Sequence, residues 1–276
     1  MNANKIETFF KGLPLSMKGI PDPSGLLCIR TPVPFFRYPS LSSYPELEHA
    51  IFTRHGGTSN PPHDSLNTSY EVGDLAHHVD ANLTLIKDTL GADHLMYMKQ
   101  THGNRIHSVR TGNISHEGTP LADAVITDRP GLAILVKQAD CQGVTLFDPR
   151  KSVVANVHCG WRGNVENILG KVVARMENDF GCRGYDLLAG IGPSLGPCCA
   201  EFVGHERLFP KYFEECMVNT NYFNLQEISC RQLLVAGLRK ENIEVSGICT
   251  RCRTDLFYSY RGEGTTGRFG TVVMLR

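Results

Sequence analysis

The pattern between residues 144 and 176 constrains the fold most, because two strands, a turn and an amphipathic helix follow one another without interruption. The runs 144–147 and 153–157 are short, apolar and rich in β-branched residues, which is typical of buried strands. Between them lies Asp148-Pro149-Arg150-Lys151, a strong turn signal. The two strands are therefore predicted to form a β-hairpin.

The helix predicted after this hairpin has one apolar face, formed by Val165, Ile168, Leu169, Val172, Val173 and Met176. Asn164 is expected to cap its N-terminus. The turn between strand and helix contains His158, Cys159 and Arg162. Polar groups are thus expected where a strand meets a helix N-terminus, whose free amides favour an anion.

The hairpin also predicts a partner for His158. Folding it about Pro149 and Arg150 sets Cys141 opposite His158 on one face, with Cβ atoms roughly 5 Å apart. Proline cannot adopt the positive φ of a type I′ turn, so a longer or bulged loop is expected, and this register can shift by a residue or two.

A third polar cluster, residues 99–105, follows the apolar run 95–98 and contains His102. Zinc accepts imidazole and thiolate, and three protein ligands with an open fourth position are typical of a catalytic zinc site. His102, Cys141 and His158 are such a set. A histidine at a strand end is also commonly a structural residue, so the residue types alone leave both interpretations open.

Two arginines and a glycine pair are candidates for anion binding. The planar donors of Arg54 and Arg162 suit phosphate or carboxylate, and the amides of Gly56 and Gly57 can bind the same anion. The alternative for each arginine is a buried ion pair. Asp140 is expected to orient the Cys141 turn or a ligand histidine.

Motifs in a fixed order along the chain carry a resemblance to a known family: Arg54-His55-Gly56-Gly57-Thr58-Ser59, Gln100-Thr101-His102-Gly103, Ala139-Asp140-Cys141, His158-Cys159-Gly160-Trp161-Arg162-Gly163 and Gly192-Pro193-Ser194-Leu195-Gly196-Pro197-Cys198-Cys199. Through them the chain resembles the laccase-domain family, whose members are called polyphenol oxidase, purine nucleoside phosphorylase and peptidoglycan editing factor. The resemblance extends from about Ile51 to the C-terminus. It implies that His102, Cys141 and His158 hold a zinc ion and carry the catalysis, with Gln100 and Asp140 supporting these ligands.

Some positions near these motifs depart from the family pattern. Gly143 stands where many members have proline, and Cys159 where many have alanine. Lys137 and Gln138 replace small or hydroxyl residues. These changes flank the ligands without removing one, so they bear on substrate preference more than on the metal.

Composition limits the classes of partner. Lys plus Arg and Asp plus Glu both number 28, so no global field recruits nucleic acid or a membrane. The chain lacks an apolar stretch of about 18 residues and a recognisable export signal. A cytoplasmic protein is expected, with its 10 cysteines reduced.

Two cysteine pairs carry weaker signals. Cys249 and Cys252 form a lone CxxC, which can ligate a metal or perform redox chemistry but is not specific. Cys198 and Cys199 are adjacent and cannot both face one site from a regular strand. Packing is therefore the expected role of Cys198 and Cys199.

With 276 residues and 41% hydrophobic content, the chain can bury a sizeable core. Residues 1–48 are proline-rich and are predicted to be an irregular lead-in with one or two edge strands, belonging to the same domain as a laccase-domain-like catalytic region, residues 49–276. Further helices are predicted at 79–90 and 228–238, and further strands at 132–136, 187–191, 243–248 and 271–275. These elements predict an α+β sandwich. The family resemblance implies a single-domain, layered α/β/β/α sandwich with mixed sheets.

The resemblance further implies a zinc-dependent purine nucleoside enzyme, with copper a less expected metal. Its members cleave adenosine, inosine and methylthioadenosine with phosphate and also deaminate adenosine, so a small-molecule nucleoside and phosphate are the expected partners. Deamination needs a metal-activated water beside C6 of the purine. Phosphorolysis needs an anion held against C1′, for which Arg54, Arg162 and the glycine amides are candidates.

Three other functions remain open. Cys141 can be a nucleophile activated by His158, in an amide hydrolase that edits a peptidoglycan precursor. A copper-dependent polyphenol oxidase is the second, although a multicopper mechanism calls for more paired histidine motifs than these clusters provide. The third is a non-catalytic, zinc-stabilised partner protein. The sequence does not predict an oligomeric state.

Overall fold

Two mixed β-sheets pack face to face, and helices cover their outer faces. The computed structural model describes residues 25–29, 31–111 and 118–276, so Pro14, Pro21 and Pro23 of the predicted lead-in lie outside the described residues. The strands, in chain order, are β1 (Leu27–Ile29), β2 (Phe35–Arg37), β3 (Leu47–Phe52), β4 (His94–Tyr97), β5 (Ile106–Val109), β6 (Ala124–Thr127), β7 (Leu132–Gln138), β8 (Gln142–Asp148), β9 (Val153–Cys159), β10 (Leu188–Ile191), β11 (Met217–Asn219), β12 (Tyr222–Phe223), β13 (Ile243–Val245) and β14 (Phe269–Leu275).

The helices of the described residues are α1 (Pro39–Ser42), α2 (Ala76–Leu90), α3 (Trp161–Val165), α4 (Ile168–Phe180), α5 (Leu225–Val235) and α6 (Tyr260–Glu263). Short 3-10 helices lie at Tyr70–Val72, Gly184–Asp186, His205–Arg207, Lys211–Cys216 and Lys240–Asn242. Within the described ranges, no helix combines the length and the apolar composition that crossing a membrane requires.

The first six-stranded sheet has the order β1-β2-β3-β14-β7-β4, and the second has the order β13-β10-β8-β9-β6-β5. Strands β11 and β12 form a separate two-stranded sheet. Neighbours are antiparallel except for β4 with β7, β5 with β6 and β10 with β13, which are parallel. The chain must therefore cross between the sheets after β4, on its way to β5, and again after β7, on its way to β8.

Hydrophobic cores on both faces of each sheet hold the layers together. Ile134 of β7 and Val154 of β9 meet in the core between the sheets. Leu135 of β7 faces the other way and packs against Ile86 of α2, while α4 and α5 cover the outer face of the second sheet. Every residue of β7 is buried. Because side chains alternate along a strand, both faces of β7 are therefore covered. The predicted α/β/β/α sandwich is thereby confirmed.

The strands predicted at 132–136, 144–147 and 153–157 form β7, β8 and β9, each longer than predicted. The helix predicted after β9 is instead two helices, because the chain breaks between α3 and α4 at Asn167, where φ is 53°. Asn167, and not Asn164, caps α4 by accepting a hydrogen bond from the Gly170 N–H at 3.2 Å. The predicted cap is wrong because Asn164 lies inside α3 and is buried against α5, where its Nδ2 donates to Ser229 Oγ at 2.9 Å.

Residues from the predicted lead-in take part in the first sheet. Strand β2 pairs with β3, and β1 lies beyond it at the sheet edge. The division into a lead-in of residues 1–48 and a catalytic region of residues 49–276 stays a prediction.

Candidate metal centre and its cavity

Three segments of the chain meet at one end of the sandwich, where the chain passes from one sheet to the other. His102 lies in the crossing from β4 to β5, Cys141 in the crossing from β7 to β8, and His158 near the end of β9. The candidate ligand atoms of these three residues all lie within 4.8 Å of one another. The two imidazole rings are nearly perpendicular, at 88°, with centroids 4.8 Å apart. The structure therefore brings together one thiol and two imidazoles from distant parts of the sequence.

The register of the β8–β9 hairpin sets the position of Cys141. Gly143 lies opposite His158, so the pairing predicted between Cys141 and His158 is wrong by two residues. An even shift keeps both side chains on the same face, because side chains alternate with a period of two. A Cβ on Gly160 would lie 2.9 Å from Cys141 Sγ and 3.6 Å from His102 Cδ2. Glycine at 160 therefore leaves room for both of these side chains.

Cys159 is adjacent to His158 in sequence but belongs to another part of the structure. As the next residue along β9 it faces the opposite side, where it joins the core beneath α4. Burial holds the pKa of its thiol well above the usual value. Cys159 is thus a neutral core residue, and Cys141 is the thiol that lies with the two histidines.

Asp123, which precedes β6, joins the two histidine-bearing segments. Its fully buried carboxylate lies 3.0 Å from His158 Nδ1. It accepts the backbone N–H of His102 at 2.8 Å and that of Gly103 at 2.9 Å, and the Thr101 hydroxyl at 2.7 Å. The sequence by itself does not single out Asp123, because one acidic residue before an apolar run has no distinguishing pattern.

The protonation states in this cluster favour a thiolate. Burial opposes ionisation of Cys141, but the facing His158 and His102 outweigh it and lower the Cys141 pKa to about 6. Burial likewise disfavours the imidazolium of His158, but Cys141 and Asp123 outweigh it and raise the His158 pKa to about 9. Despite burial, hydrogen bonds from His158 and Thr101 hold the pKa of Asp123 well below its usual range. Because Asp123 contacts Nδ1 of His158, Nε2 is the ring nitrogen left for a metal, which would displace its proton.

Asp140 organises the turn before Cys141 and makes contacts different from those of Asp123. Its carboxylate accepts hydrogen bonds from the hydroxyls of Thr250 at 2.7 Å and Ser259 at 2.6 Å, and from the Arg261 N–H at 2.6 Å. These contacts tie the crossing from β7 to β8 to the segment 250–261. The contact with a ligand histidine, which the sequence left open for Asp140, belongs to Asp123.

Gln100 joins the first crossing to the first sheet. Its side-chain amide donates to the Lys137 carbonyl at 2.7 Å and accepts the Lys137 N–H at 2.8 Å. The amide thereby pairs with β7 as a neighbouring strand would.

Two residues of the site adopt the left-handed backbone conformation: His102 with φ 58° and Asp140 with φ 89°. Such strain requires a rigid surrounding and is frequent at functional sites.

A cavity of about 710 Å³ opens beside the three candidate ligands. Ligand pockets typically have volumes of about 300–1,000 Å³. Its lining includes the cationic side chains of Lys99, Lys137, Arg162, Arg261 and Arg268 and the aromatic side chains of Trp161, Phe202 and Tyr260. A metal, an anion and a flat aromatic group can therefore each find matching contacts in this cavity.

Arg162 lies in the cavity lining, whereas Arg54, Gly56 and Gly57 do not. The Arg54 guanidinium stacks on the Tyr258 ring and donates to Glu263 Oε1 at 2.7 Å, so Arg54 forms an ion pair, which is only partly buried because Glu263 is exposed. Side chains at the two glycines would collide with backbone: a Cβ would lie 2.3 Å from Pro32 O at Gly56 and 2.3 Å from Ser65 O at Gly57. Arg54, Gly56 and Gly57 therefore lie outside the cavity. The Arg54 side chain contacts Tyr258 and Glu263, and backbone of the protein packs against the two glycines.

Two departures from the family pattern are linked in space. A Cβ on Gly143 would lie only 2.3 Å from Gln138 Oε1. The buried Gln138 side chain thus fills the space that a larger residue at 143 would need. Lys137, a third departure, faces the cavity and forms a 2.9 Å ion pair with Glu71.

Fold and site together define the class: an α+β sandwich with a His-Cys-His candidate metal centre where the chain crosses between the sheets. A family model described as multi-copper polyphenol oxidoreductase laccase matches residues 48–276. The chain belongs to this family, as the sequence motifs predicted.

Similar proteins support this membership along most of the chain. A purine nucleoside phosphorylase of Bacteroides thetaiotaomicron is 32% identical over 257 residues, covering 86% of this chain and 95% of the relative. Purine nucleoside phosphorylase YlmD of Bacillus subtilis is 30% identical, covering 81% and 87%. Among solved structures, the Bacillus licheniformis hypothetical protein YfiH has a TM-score of 0.80 at 30% identity, covering 89% of this chain and 97% of that one.

Proposed function

We propose that this protein is a zinc-dependent purine nucleoside phosphorylase, acting on adenosine, inosine and methylthioadenosine, that also deaminates adenosine. One observation carries the proposal: candidate metal ligands and arginine side chains line the same cavity, with Cys141 and His158 beside Arg162 and Arg268. Relatives named purine nucleoside phosphorylase support the reaction class.

The chemistry of the donor set supports zinc as the metal. A thiolate and two imidazoles with an open fourth position are a typical catalytic zinc set. The buried carboxylate of Asp123 at His158 Nδ1 is the supporting contact that metal-binding histidines commonly have. When bound, zinc would supply a Lewis acid that brings the pKa of a water molecule to near neutral.

In phosphorolysis, the cationic side chains of the cavity, among them Arg162 and Arg268, would bind the phosphate. Arg268 is anchored there, since its Nη1 donates to the carbonyls of Thr266 at 3.0 Å and Gly267 at 2.8 Å. Arg162 also lines the cavity, and its guanidinium lies 4.3 Å from the Trp161 ring centroid. Held between such charges, a phosphate oxygen attacks C1′ of the nucleoside. The C1′–N9 bond breaks, and the free base and ribose 1-phosphate leave.

Deamination uses the same cavity with water in place of phosphate. Attack of a deprotonated water on C6 of adenosine expels ammonia and yields inosine. The aromatic side chains of Trp161, Phe202 and Tyr260 offer flat surfaces on which the purine can stack. Because both reactions share one nucleoside pocket, variants of the metal ligands should impair both.

The test is incubation of zinc-loaded protein with adenosine, with and without phosphate, followed by chromatography. We expect adenine and ribose 1-phosphate only when phosphate is present, and inosine in both samples. His102→Ala should abolish all three products, while Cys159→Ala, which changes a thiol outside the cluster, should retain them. Absence of all three products from zinc-loaded wild-type protein would disprove the proposal.

The facing Cys141 and His158 favour a second candidate function, that of an amide hydrolase. A thiol with a pKa of about 6 beside an imidazole is an activated nucleophile. In such an enzyme the thiolate would attack the amide carbonyl of a peptidoglycan precursor, the amine would leave with a proton from His158, and water would then hydrolyse the thioester to a carboxylic acid and the free thiol. Zinc content separates the two functions, because a stoichiometric metal held by Cys141 removes the free thiolate.

A further inference from the structure

Four cysteines outside the candidate metal centre come together in space. The Sγ atoms of Cys198, Cys199, Cys249 and Cys252 all lie within 4.8 Å of one another. Cys252 Sγ is 3.6 Å from the Sγ of both Cys198 and Cys199. The packing role expected for the adjacent pair assumed a regular strand, but residues 197–199 form a turn, from which both thiols reach the same point.

We propose that these four cysteines bind a structural zinc ion, at a second site separate from His102, Cys141 and His158. Tetrahedral zinc with Zn–S bonds of about 2.3 Å sets its sulfur atoms roughly 3.8 Å apart. The 3.6 Å separations are close to this value and far longer than a disulfide bond of about 2.05 Å. All four cysteines are free thiols. The lone CxxC motif therefore has its matching pair in Cys198 and Cys199.

The backbone around Cys249 is arranged to receive a thiolate. The Gly196 N–H donates to Cys249 Sγ at 3.3 Å, and a Cβ on Gly196 would lie 2.8 Å from Cys249 Cβ. Because zinc binds thiolates, metal binding would displace protons from the four thiols.

The site would join two loops that form one wall of the cavity. Ser194 and Cys249 form an isolated parallel bridge, and the Thr250 N–H donates to the Ser194 carbonyl at 2.9 Å. The first loop continues into Leu195 and Phe202, and the second into Tyr260, all of which line the cavity. This part of the chain has few regular elements, which is where a metal adds most to stability.

Zinc content of the full chain tests the proposal without any assay of nucleoside turnover. Cys141→Ala removes a ligand of the first centre, and we expect this variant to retain one tightly bound zinc per chain by plasma mass spectrometry. Adding Cys252→Ser should remove that zinc. Adding Cys28→Ser, which changes an exposed cysteine outside the cluster, should not.

Cobalt substitution provides a measurement that does not depend on folding of the variant that carries both Cys141→Ala and Cys252→Ser. Cys141→Ala loaded with Co²⁺ should show the charge-transfer and visible bands of tetrahedral thiolate coordination. Cys198→Ser, a change at an exposed position, should weaken them in the same background. The proposal is overturned if Cys141→Ala binds neither zinc nor cobalt, or if unreduced protein contains a disulfide among these four cysteines.

Discussion

Asp123 and His158 are joined by a buried 3.0 Å hydrogen bond between carboxylate Oδ1 and ring Nδ1. The same carboxylate accepts the backbone N–H of His102 at 2.8 Å. One buried side chain thus orients one histidine and positions the turn that carries the other. The geometry of the candidate metal centre therefore depends on a residue that is not itself a candidate ligand.

Asp123→Asn tests this dependence. An amide retains the size of the carboxylate but has one acceptor oxygen for the several donors around it, and it carries no charge to stabilise them. We expect zinc affinity to fall about 10- to 100-fold, as is typical when the partner of a ligand histidine is lost. Competition with a chromophoric chelator measures the affinity. Asp128→Asn, at a carboxylate that accepts the Thr111 N–H near the surface, is the matched control, and an equal loss there would contradict the assignment.

Cys141, which lies next to His158 in space, and Cys159, which follows it in sequence, should differ in their effect on zinc content when each is replaced. Cys141→Ala is expected to lower zinc content by one ion per chain and to abolish turnover, because it removes a ligand. Cys159→Ala should retain zinc and lower the free energy of unfolding by about 1 kcal/mol, through lost burial of the thiol group. Metal analysis and urea titration of both variants check this. The reverse pattern of metal loss would mean that the wrong thiol is assigned.

Substitution of Arg162 is expected to weaken substrate binding, whereas substitution of Arg54 is expected to lower the stability of the fold. Arg162→Gln changes an exposed cavity residue, and loss of a charged hydrogen bond to phosphate should raise the KM for phosphate roughly 10- to 100-fold. Arg54→Gln breaks a partly buried ion pair with Glu263, so it should destabilise the fold by about 2 kcal/mol. Steady-state kinetics and urea titration distinguish the two effects. A selective rise in KM for phosphate in Arg54→Gln would instead support the anion site expected from the sequence.

His49 should make stability depend on pH. Burial first, and then the nearby Arg37, lower its pKa from 6.5 to about 4, while its Nε2 accepts the Tyr38 N–H at 2.9 Å. Between these two pKa values the unfolded chain binds a proton that the folded chain does not, so stability from this group is lost as the pH falls from about 6.5 to 4. The loss amounts to about 3 kcal/mol in total.

His49→Gln removes this titration while keeping an acceptor for Tyr38. Urea titrations of wild type and variant at pH 7.5 and pH 4.5 measure the effect. The difference in stability between the two pH values should be about 2–3 kcal/mol smaller in the variant. An unchanged difference would show that His49 is not the responsible group.

Local patterns predicted many strands and helices of this fold well, because they depend on residues that are close in sequence, whereas the layered arrangement followed from the family resemblance. Short apolar runs identified β7, β8 and β9, and helical apolar spacing identified α2. The cap of α4 was misassigned, since Asn164 and Asn167 are equally good capping residues. Only packing against α5 decides between them.

The candidate ligands were identifiable as residue types near strand ends, and the motif order assigned them to one family. Their assembly depends on contacts between distant segments: the hairpin register, the two sheet crossings and Asp123, which contacts both histidine segments. The cluster of Cys198, Cys199, Cys249 and Cys252 likewise exists only where two loops meet.

By itself, the sequence determined the α+β class, the family and the three candidate ligands, because apolar patterns and short motifs are local properties of the chain. The tertiary structure alone decided that Asp123 supports the centre, that Arg54 is bound in an ion pair and that four cysteines converge. These relationships depend on distances between residues far apart in sequence, and packing of the two sheets sets those distances.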